Sequence, residues 1–192
     1  MKRSWVWVVG FVLLFGCGKK ASDPQAQWFA KPEKVVEGIM AAYETRNDSL
    51  YAAFLAPDFR YSFEPQGGDS VDVLGWGKEE EVLSVSSLFR TQDVESVRFK
   101  LDAGPPKAAE GPGREGWMAV PISGGQLVIT VKDKHPTVVT LNRQEIVLRP
   151  RGESKNKQWQ VVEWHDYPVP GTAVASHDST HSEPGGHEGH VH

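Results

Sequence analysis

The sequence predicts an α+β domain, chiefly because of the order of its periodic segments. Apolar residues recur with helical spacing in residues 32–55 and 78–90, whereas apolar and polar residues alternate through most of the chain after residue 94. Helices that come first, followed by a run of antiparallel strands, are typical of α+β folds. The domain defined by this pattern covers residues 32–167, a usual length for a single hydrophobic core.

Three helices are expected. Residues 32–46 have a proline in the first turn and apolar residues three and four positions apart on one face. Residues 78–90 have similar spacing, and the three glutamates in their first turn complement the positive end of the helix dipole. A shorter helix between them is expected to be capped by Asp48 or Ser49 and to extend through Leu55.

The strands are predicted from alternation. Phe59, Tyr61 and Phe63 alternate with polar residues, so one face of this strand is aromatic and the other polar. A short return strand that includes Trp76 follows a Gly-rich turn. Later strands are expected at residues 94–101, 117–122, 126–132, 137–148 and 158–167, with a surface loop at residues 102–116.

The N-terminus has the parts of a secretory signal. Lys2 and Arg3 precede an apolar stretch of 11 residues, 5–15, and a glycine stands before Cys17, the one cysteine of the chain. As a helix this stretch would be about 17 Å long, against a hydrocarbon core of about 30 Å, so it is too short for a membrane span. Residues 14–17 resemble the lipobox of bacterial lipoproteins, which implies cleavage before Cys17 and acylation of its thiol.

The lipobox resemblance implies a location. Residues 1–16 would be the signal peptide, and the polar residues 17–31 would be a lipidated tether to the domain. Two or more acyl chains hold a protein firmly, because each buried methylene adds about 0.8 kcal/mol. The residue after Cys17 is Gly18 and not an aspartate, which resembles the pattern of lipoproteins sent to the outer membrane. We therefore expect a lipid-anchored protein of the bacterial cell envelope, facing the periplasm if the host is Gram-negative.

The charge of the chain argues against nucleic acid as a partner. The sequence has 21 Lys and Arg against 25 Asp and Glu, a formal net charge of −4, and removal of residues 1–16 would take away two cations and no acid. Binding to phosphate backbones needs clustered positive charge. The expected partners are the membrane, through the lipid anchor, and a small-molecule ligand or another protein.

The residues after 167 form a segment rich in histidine. Residues 168–192 contain five of the seven histidines of the chain. Imidazole nitrogens suit Zn²⁺, Cu²⁺ or Ni²⁺, and His187, His190 and His192 are close enough in sequence to chelate one ion. A disordered tail loses entropy when it closes around a metal, so a weak, exchangeable site is expected. A metal-binding protein is therefore one alternative function, and a flexible extension that gains charge below about pH 6.5 is another interpretation.

Three motifs carry a resemblance to a known superfamily. A long helix ends in AYETRND at residues 42–48, a short one ends in FLAPDF at 54–59, and the last strand closes on WQVVEW at 159–164. In this order, with an aromatic strand between, they resemble the nuclear transport factor 2-like, or SnoaL-like, superfamily over residues 32–167. The resemblance implies a curved antiparallel sheet wrapped around the helices as a cone, a ligand pocket at its open end, and a homodimer through the convex face.

This cone serves isomerases, dehydratases, hydrolases, ligand carriers and dimerisation modules, so the fold alone does not identify a reaction. We expect a pocket lined by Tyr43, Tyr61, Phe63 and Trp76. A non-catalytic domain that binds a ligand or another protein is the favoured function.

The catalytic alternative depends on the last strand. In a regular strand Glu163 and His165 share one face with Val161 and could form an acid/base pair in the cone, while Asp166 would point to the other face. The competing interpretation places Glu163 and His165 on the outer, solvated face, with Val162 and Trp164 packed inward. We favour the outer face, and hence a binding module over an isomerase, dehydratase or hydrolase.

Overall fold

The computed structural model describes residues 25–63, 74–152 and 157–167. The predicted signal peptide, Cys17 and the histidine-rich tail lie outside these residues. The elements of the described part are, in chain order, the 3₁₀ helix η1 (Ala26–Phe29), α1 (Pro32–Glu44), α2 (Asp48–Phe54), β1 (Leu55–Phe63), β2 (Leu74–Gly77), α3 (Lys78–Arg90), β3 (Val94–Ala103), β4 (Lys107–Ala108), β5 (Met118–Val131), β6 (Thr137–Leu141), β7 (Gln144–Arg151) and β8 (Gln158–Asp166).

The eight strands of the described residues form one mixed, curved sheet. Its order is β2-β1-β8-β7-β5-β3, and β4 and β6 both pair with β5. β1 and β8 run parallel, whereas the other pairs are antiparallel. The prediction of a wholly antiparallel sheet is therefore wrong for this pair. Parallel neighbours need a long connection, and here α3 and the six other described strands lie between β1 and β8 in the chain.

β5 is one strand of 14 residues where the sequence predicts two. Its first half pairs with β7 and its second half with β6 and β3. The predicted strand at residues 137–148 is divided into β6 and β7 for the same reason, because each pairs with a different half of β5. Gly125 permits the close approach of β3, since a Cβ at this position would collide with the carbonyl oxygen of Lys100.

The helices follow the predicted faces, and α2 differs in its ends. The buried side of α1 includes Val35, Val36 and Ile39, as the spacing predicts. The cap of α2 is Asn47, and not Asp48 or Ser49. The side chain of Asn47 accepts a hydrogen bond from the backbone N–H of Leu50. Leu55 begins β1 and does not end α2. Pro57 keeps the helix from extending further, because a proline disfavours helical geometry in the residue before it, here Ala56.

The helices of the described part are short. The longest, α1 and α3, have 13 residues each. None of the helices in residues 25–63, 74–152 and 157–167 combines the length and the apolar character needed to cross a bilayer.

The core lies between the helices and the sheet and includes η1. Trp28 and Phe29 of η1 pack against it, and the ring of Phe29 lies 4.9 Å from that of Phe54. The predicted domain boundary at residue 32 is therefore too late, because two aromatic side chains of the predicted tether belong to the folded domain.

Gly38 of α1 lies against the ring of Phe54, which is fully buried. An alanine Cβ at position 38 would lie 2.9 Å from Cε1 of that ring and closer still to Cζ. Alanine favours a helix over glycine by about 1 kcal/mol, whereas overpacking a core costs about 1–3 kcal/mol. We expect Gly38→Ala to lower the free energy of unfolding, measured by urea denaturation.

Phe54→Leu in the Gly38→Ala background should recover part of that loss, because leucine leaves room for the added methyl group. A Gly38→Ala variant as stable as the unmodified protein would contradict this account of the α1–α2 contact.

Candidate ligand-binding site

A cavity of about 200 Å³ lies between α1, α3 and the inner face of the sheet. Residues from most elements of the domain converge on it, because the curved sheet surrounds the helices on one side. Its lining residues are Tyr43, Tyr61, Trp76, Glu81, Ser84, Val85, Phe99, Leu127, Leu141, Gln144 and Trp164.

Two stacked pairs of aromatic rings form much of the cavity wall. Tyr61 and Trp76 are direct partners across β1 and β2, and their rings stack at 4.5 Å with an interplanar angle of 13°. Tyr43 of α1 stacks on Phe99 of β3 at 4.4 Å. Because each ring is held by a neighbouring ring, the wall is well ordered before any ligand enters.

Glu81 of α3 is the buried carboxylate of this cavity, with 7% of its surface exposed. Tyr51 donates a hydrogen bond to its Oε1 and the indole nitrogen of Trp76 donates one to its Oε2, both at 2.6 Å. An indole N–H can only donate, so Oε2 of Glu81 is an acceptor, and Oε1 accepts from the hydroxyl of Tyr51. In the described part of the chain, none of the ion pairs includes Glu81.

Glu81 was not predicted as a site residue, because it is one of three consecutive glutamates that all suit the first turn of a helix. A signal was present: Val85 and Phe89 follow Glu81 at intervals of four residues, which places all three on the buried face of α3. An acid on an apolar helical face is the pattern that identifies a buried carboxylate.

The tyrosines around Glu81 remain protonated donors. Burial, with the charge of Glu81 as a further cause, raises the pKa of Tyr43 far above its usual value, although a hydrogen bond with Tyr51 opposes the shift. Burial is also the main cause that raises the pKa of Tyr51. The network around Glu81 therefore keeps its hydrogen-bond polarity across the physiological pH range.

Asp166 is a second carboxyl group beside the cavity. Tyr61 donates a hydrogen bond to Oδ2 of Asp166 at 3.3 Å. Asp166 also forms a hydrogen bond with the side chain of Gln144. Gln144 is held in turn, because its Oε1 accepts from the indole of Trp164 at 3.2 Å. Burial raises the pKa of Asp166 above its usual value of 3.8, although the hydrogen bonds from Gln144 and Tyr61 oppose the shift.

The structure places three of the four predicted pocket residues, Tyr43, Tyr61 and Trp76, at the cavity. Phe63 is half-buried next to Trp76, with ring centroids 6.2 Å apart, and is not among the lining residues. The predicted alternation of β1 is correct, but the cavity ends at Trp76 and does not extend to Phe63.

Glu163 and His165 lie on the outer face of the sheet, as the favoured interpretation has it. The alternative, in which they form an acid/base pair inside the cone, is wrong. In the pairing of β7 with β8, Val147 is opposite Glu163 and Leu148 is opposite Val161, which leaves Val162 as an extra residue. This bulge interrupts the regular alternation assumed above. Val161 and Trp164 both face the main core, and Val162 packs on the outer side instead of inward.

On the outer face, His165 joins a chain of hydrogen bonds. Its Nε2 lies 2.8 Å from Oε2 of Glu163, its Nδ1 lies 2.6 Å from the hydroxyl of Ser62, and Arg114 donates to the same Glu163 oxygen at 2.6 Å. The Glu163 carboxylate accepts a hydrogen bond from Nε2–H of His165, so Nδ1 of a neutral imidazole accepts one from the hydroxyl of Ser62. Ser62, His165 and Glu163 therefore form a continuous chain of hydrogen bonds.

This outer cluster has a structural role. The predicted surface loop at residues 102–116 contains β4 and covers part of the outer face, where Ala109 and Trp117 pack against Ala56, Val147 and Val162. Arg114 attaches this loop to β8 through Glu163. The lining of the three described cavities includes none of the four residues of the cluster.

No group of three or more histidine, cysteine or acidic side chains in the described residues could hold a metal ion. Cys17 and the proposed ligands His187, His190 and His192 lie outside the described residues, so lipidation and metal binding at those positions stay predictions.

Several solved structures are similar to this chain, all at low sequence identity. A conserved protein from Planctomyces limnophilus matches with a TM-score of 0.53 at 13% identity, over 71% of this chain and 92% of that chain. A putative calcium/calmodulin-dependent protein kinase II association domain from Xanthomonas campestris matches at 0.49 and 14%, over 73% and 86%. An NTF2-like protein of unknown function in nutrient uptake from Rhodospirillum rubrum matches at 0.46 and 17%, over 70% and 94%.

No protein-family model matches the sequence, and the search of curated proteins gives no match. The evidence for the fold is therefore structural. The described residues have the cone-shaped α+β fold of nuclear transport factor 2-like proteins, as the sequence predicts.

The raised pKa of Asp166 predicts a pH dependence of stability. A carboxyl group whose pKa is raised by folding stabilises the protein at pH values below its unfolded pKa, and this contribution is lost as pH rises through the folded pKa. We expect the free energy of unfolding of the unmodified protein to fall, relative to Asp166→Asn, as pH rises from about 3.8 toward neutrality, measured by urea denaturation.

Asp58→Asn provides a control of opposite sign. Arg149 makes two hydrogen bonds to Asp58 and lowers its pKa, so that contribution is present above the unfolded pKa and is lost as pH falls. If the Asp166→Asn difference had the same pH slope as the Asp58→Asn difference, the environment assigned to Asp166 would be incorrect.

Proposed function

We propose that this chain is a lipid-anchored protein of the bacterial cell envelope whose cone binds a small molecule. The cavity that contains Glu81 is the observation that carries the proposal. Pockets for small ligands are typically apolar and aromatic, with a few fixed polar groups that orient the ligand. Stacked rings form the walls here, and the carboxylate of Glu81 and the phenols of Tyr43 and Tyr61 are the polar groups.

The outer cluster supports binding over catalysis. The pair that the catalytic alternative required, Glu163 and His165, lies on the other face of the sheet from the cavity. Inside the cone, each oxygen of Glu81 already accepts a short hydrogen bond from a neutral donor. Two fixed donors hold this carboxylate in one orientation, which suits it to recognise the charge of a ligand.

An enzyme that transfers a proton is the second candidate, because Asp166 bonds to Tyr61 at the cavity and has a raised pKa. A general base works best when its pKa is close to the operating pH. Mass spectrometry of a bound compound after prolonged incubation separates the two functions: recovery unchanged supports a binding protein, and turnover that Asp166→Asn abolishes supports the enzyme.

The ligand should enter past Ser84, which is exposed on α3 and also lines the cavity. We expect small polar compounds to raise the melting temperature of the unmodified protein, and Ser84→Trp to remove the shift by filling the entrance. Ser87→Trp is the matched control, because Ser87 is exposed on the same helix and does not line the cavity. Equal shifts for both variants, or no shift with any compound, would argue against binding in the cone.

Lipidation of Cys17 is tested separately from ligand binding. The full chain, expressed in a bacterium, should carry acyl chains on Cys17 and partition into detergent, whereas Cys17→Ala should remain unacylated and unprocessed. Intact-mass spectrometry and detergent phase partition are the measurements. An unmodified cysteine in the mature wild-type protein would refute the anchor and leave the cavity unaffected.

A further inference from the structure

We propose that the ligand of the cone cavity is a small organic cation, such as a methylated or protonated amine. The proposal rests on the binding function above and names the class of its ligand. Its basis is a buried carboxylate without a cationic partner among the described residues, placed inside an aromatic wall.

The charge of Glu81 is the first reason to expect a cation in the cavity. Placing a carboxylate in a protein interior costs several kcal/mol unless the charge is compensated. The hydrogen bonds from Tyr51 and Trp76 compensate only in part, because both donors are neutral. A carboxylate has room for about four hydrogen bonds, so each oxygen of Glu81 can still accept a contact from a ligand. A cation in the cavity would supply the missing counter-charge where water screens it weakly.

The second step is the absence of competing positive charge. No lysine, arginine or histidine is present among the described residues that line the cavity. The two larger grooves on the outside of the domain differ in this respect. A groove of about 630 Å³ includes Lys78 and Arg90, and another of about 510 Å³ includes Arg98 and Lys100. Acids in those grooves therefore have cations nearby, whereas a cation beside Glu81 would have to come from a ligand.

The third step is the chemistry of the wall. The faces of aromatic rings attract cations within about 6 Å, and sites for quaternary ammonium groups are commonly built from several such rings. Tyr61, Trp76, Tyr43 and Phe99 line this cavity next to Glu81. Because Tyr61 also bonds to Asp166, a second carboxyl group lies close behind the wall. An anion would be repelled here, and a neutral ligand would leave the charge of Glu81 uncompensated.

The size of the cavity limits the ligand. At about 200 Å³ the cavity lies below the range of about 300–1,000 Å³ that is typical of drug-sized ligands, so it suits a small compound such as choline. A larger amine would have to extend past Ser84 into solvent.

The test compares choline with 3,3-dimethylbutan-1-ol, which has the same shape but carbon in place of the charged nitrogen. Isothermal titration calorimetry on the full chain should show choline binding about tenfold more tightly than the alcohol, a difference of about 1.4 kcal/mol. Glu81→Gln should remove this preference. Glu79→Gln is the matched control and should retain it, because Glu79 is exposed on the same helix and does not line the cavity.

The outcomes distinguish the two proposals. If choline and the alcohol bind equally, or if Glu81→Gln binds choline as tightly as the unmodified protein, the cation proposal is overturned and the binding function stands. If neither compound binds, and no compound raises the melting temperature, both proposals are overturned. Circular dichroism establishes that Glu81→Gln is folded. Should it fail to fold, the comparison of the two compounds on the unmodified protein still decides the question.

Discussion

The burial of Glu81 is the constraint on which the helical side of this domain depends. Its two oxygens accept from Tyr51 on α2 and from Trp76 on β2, while Glu81 itself belongs to α3. One carboxylate thus joins two helices to the edge of the sheet. Tyr43 connects α1 to the same network through its hydrogen bond with Tyr51. A charge that cannot be left unpaired in the interior fixes how these elements pack and also shapes the cavity.

The periodic parts of the fold could be predicted from the sequence, because each depends on which residues face the core. The apolar face of α1 and the aromatic face of β1 follow from spacing alone, and they place Tyr43 and Tyr61 at the cavity. Glu81 could have been found by extending the same spacing to a charged residue. The parallel pairing of β1 with β8 could not, because it depends on strands far apart in the chain.

The bulge at Val162 shows why the candidate site on β8 was harder to predict. Regular alternation assigns Val161 and Val162 to opposite faces and carries Glu163 inward with Val161. Two consecutive valines do not indicate which of them faces the core, because both positions accept a valine in a regular strand and in a bulge. The choice is made by the partner β7, which pairs Leu148 with Val161 and Val147 with Glu163. Side-chain direction along β8 is therefore set by tertiary pairing, and with it the outward direction of Glu163 and His165.

The position of β8 has a consequence for how the domain is assembled. β8 is the last strand of the residues that the structure describes, yet it lies in the middle of the sheet, between β1 and β7. Until it is in place, β1 and β2 cannot be joined to the remaining strands, and an edge of β1 stays open to pairing with other chains. The most distant contacts in sequence are those that complete the sheet, a pattern associated with slow folding. The sheet cannot close around the helices without β8, so the ligand cavity depends on a segment more than 90 residues further along the chain than β1.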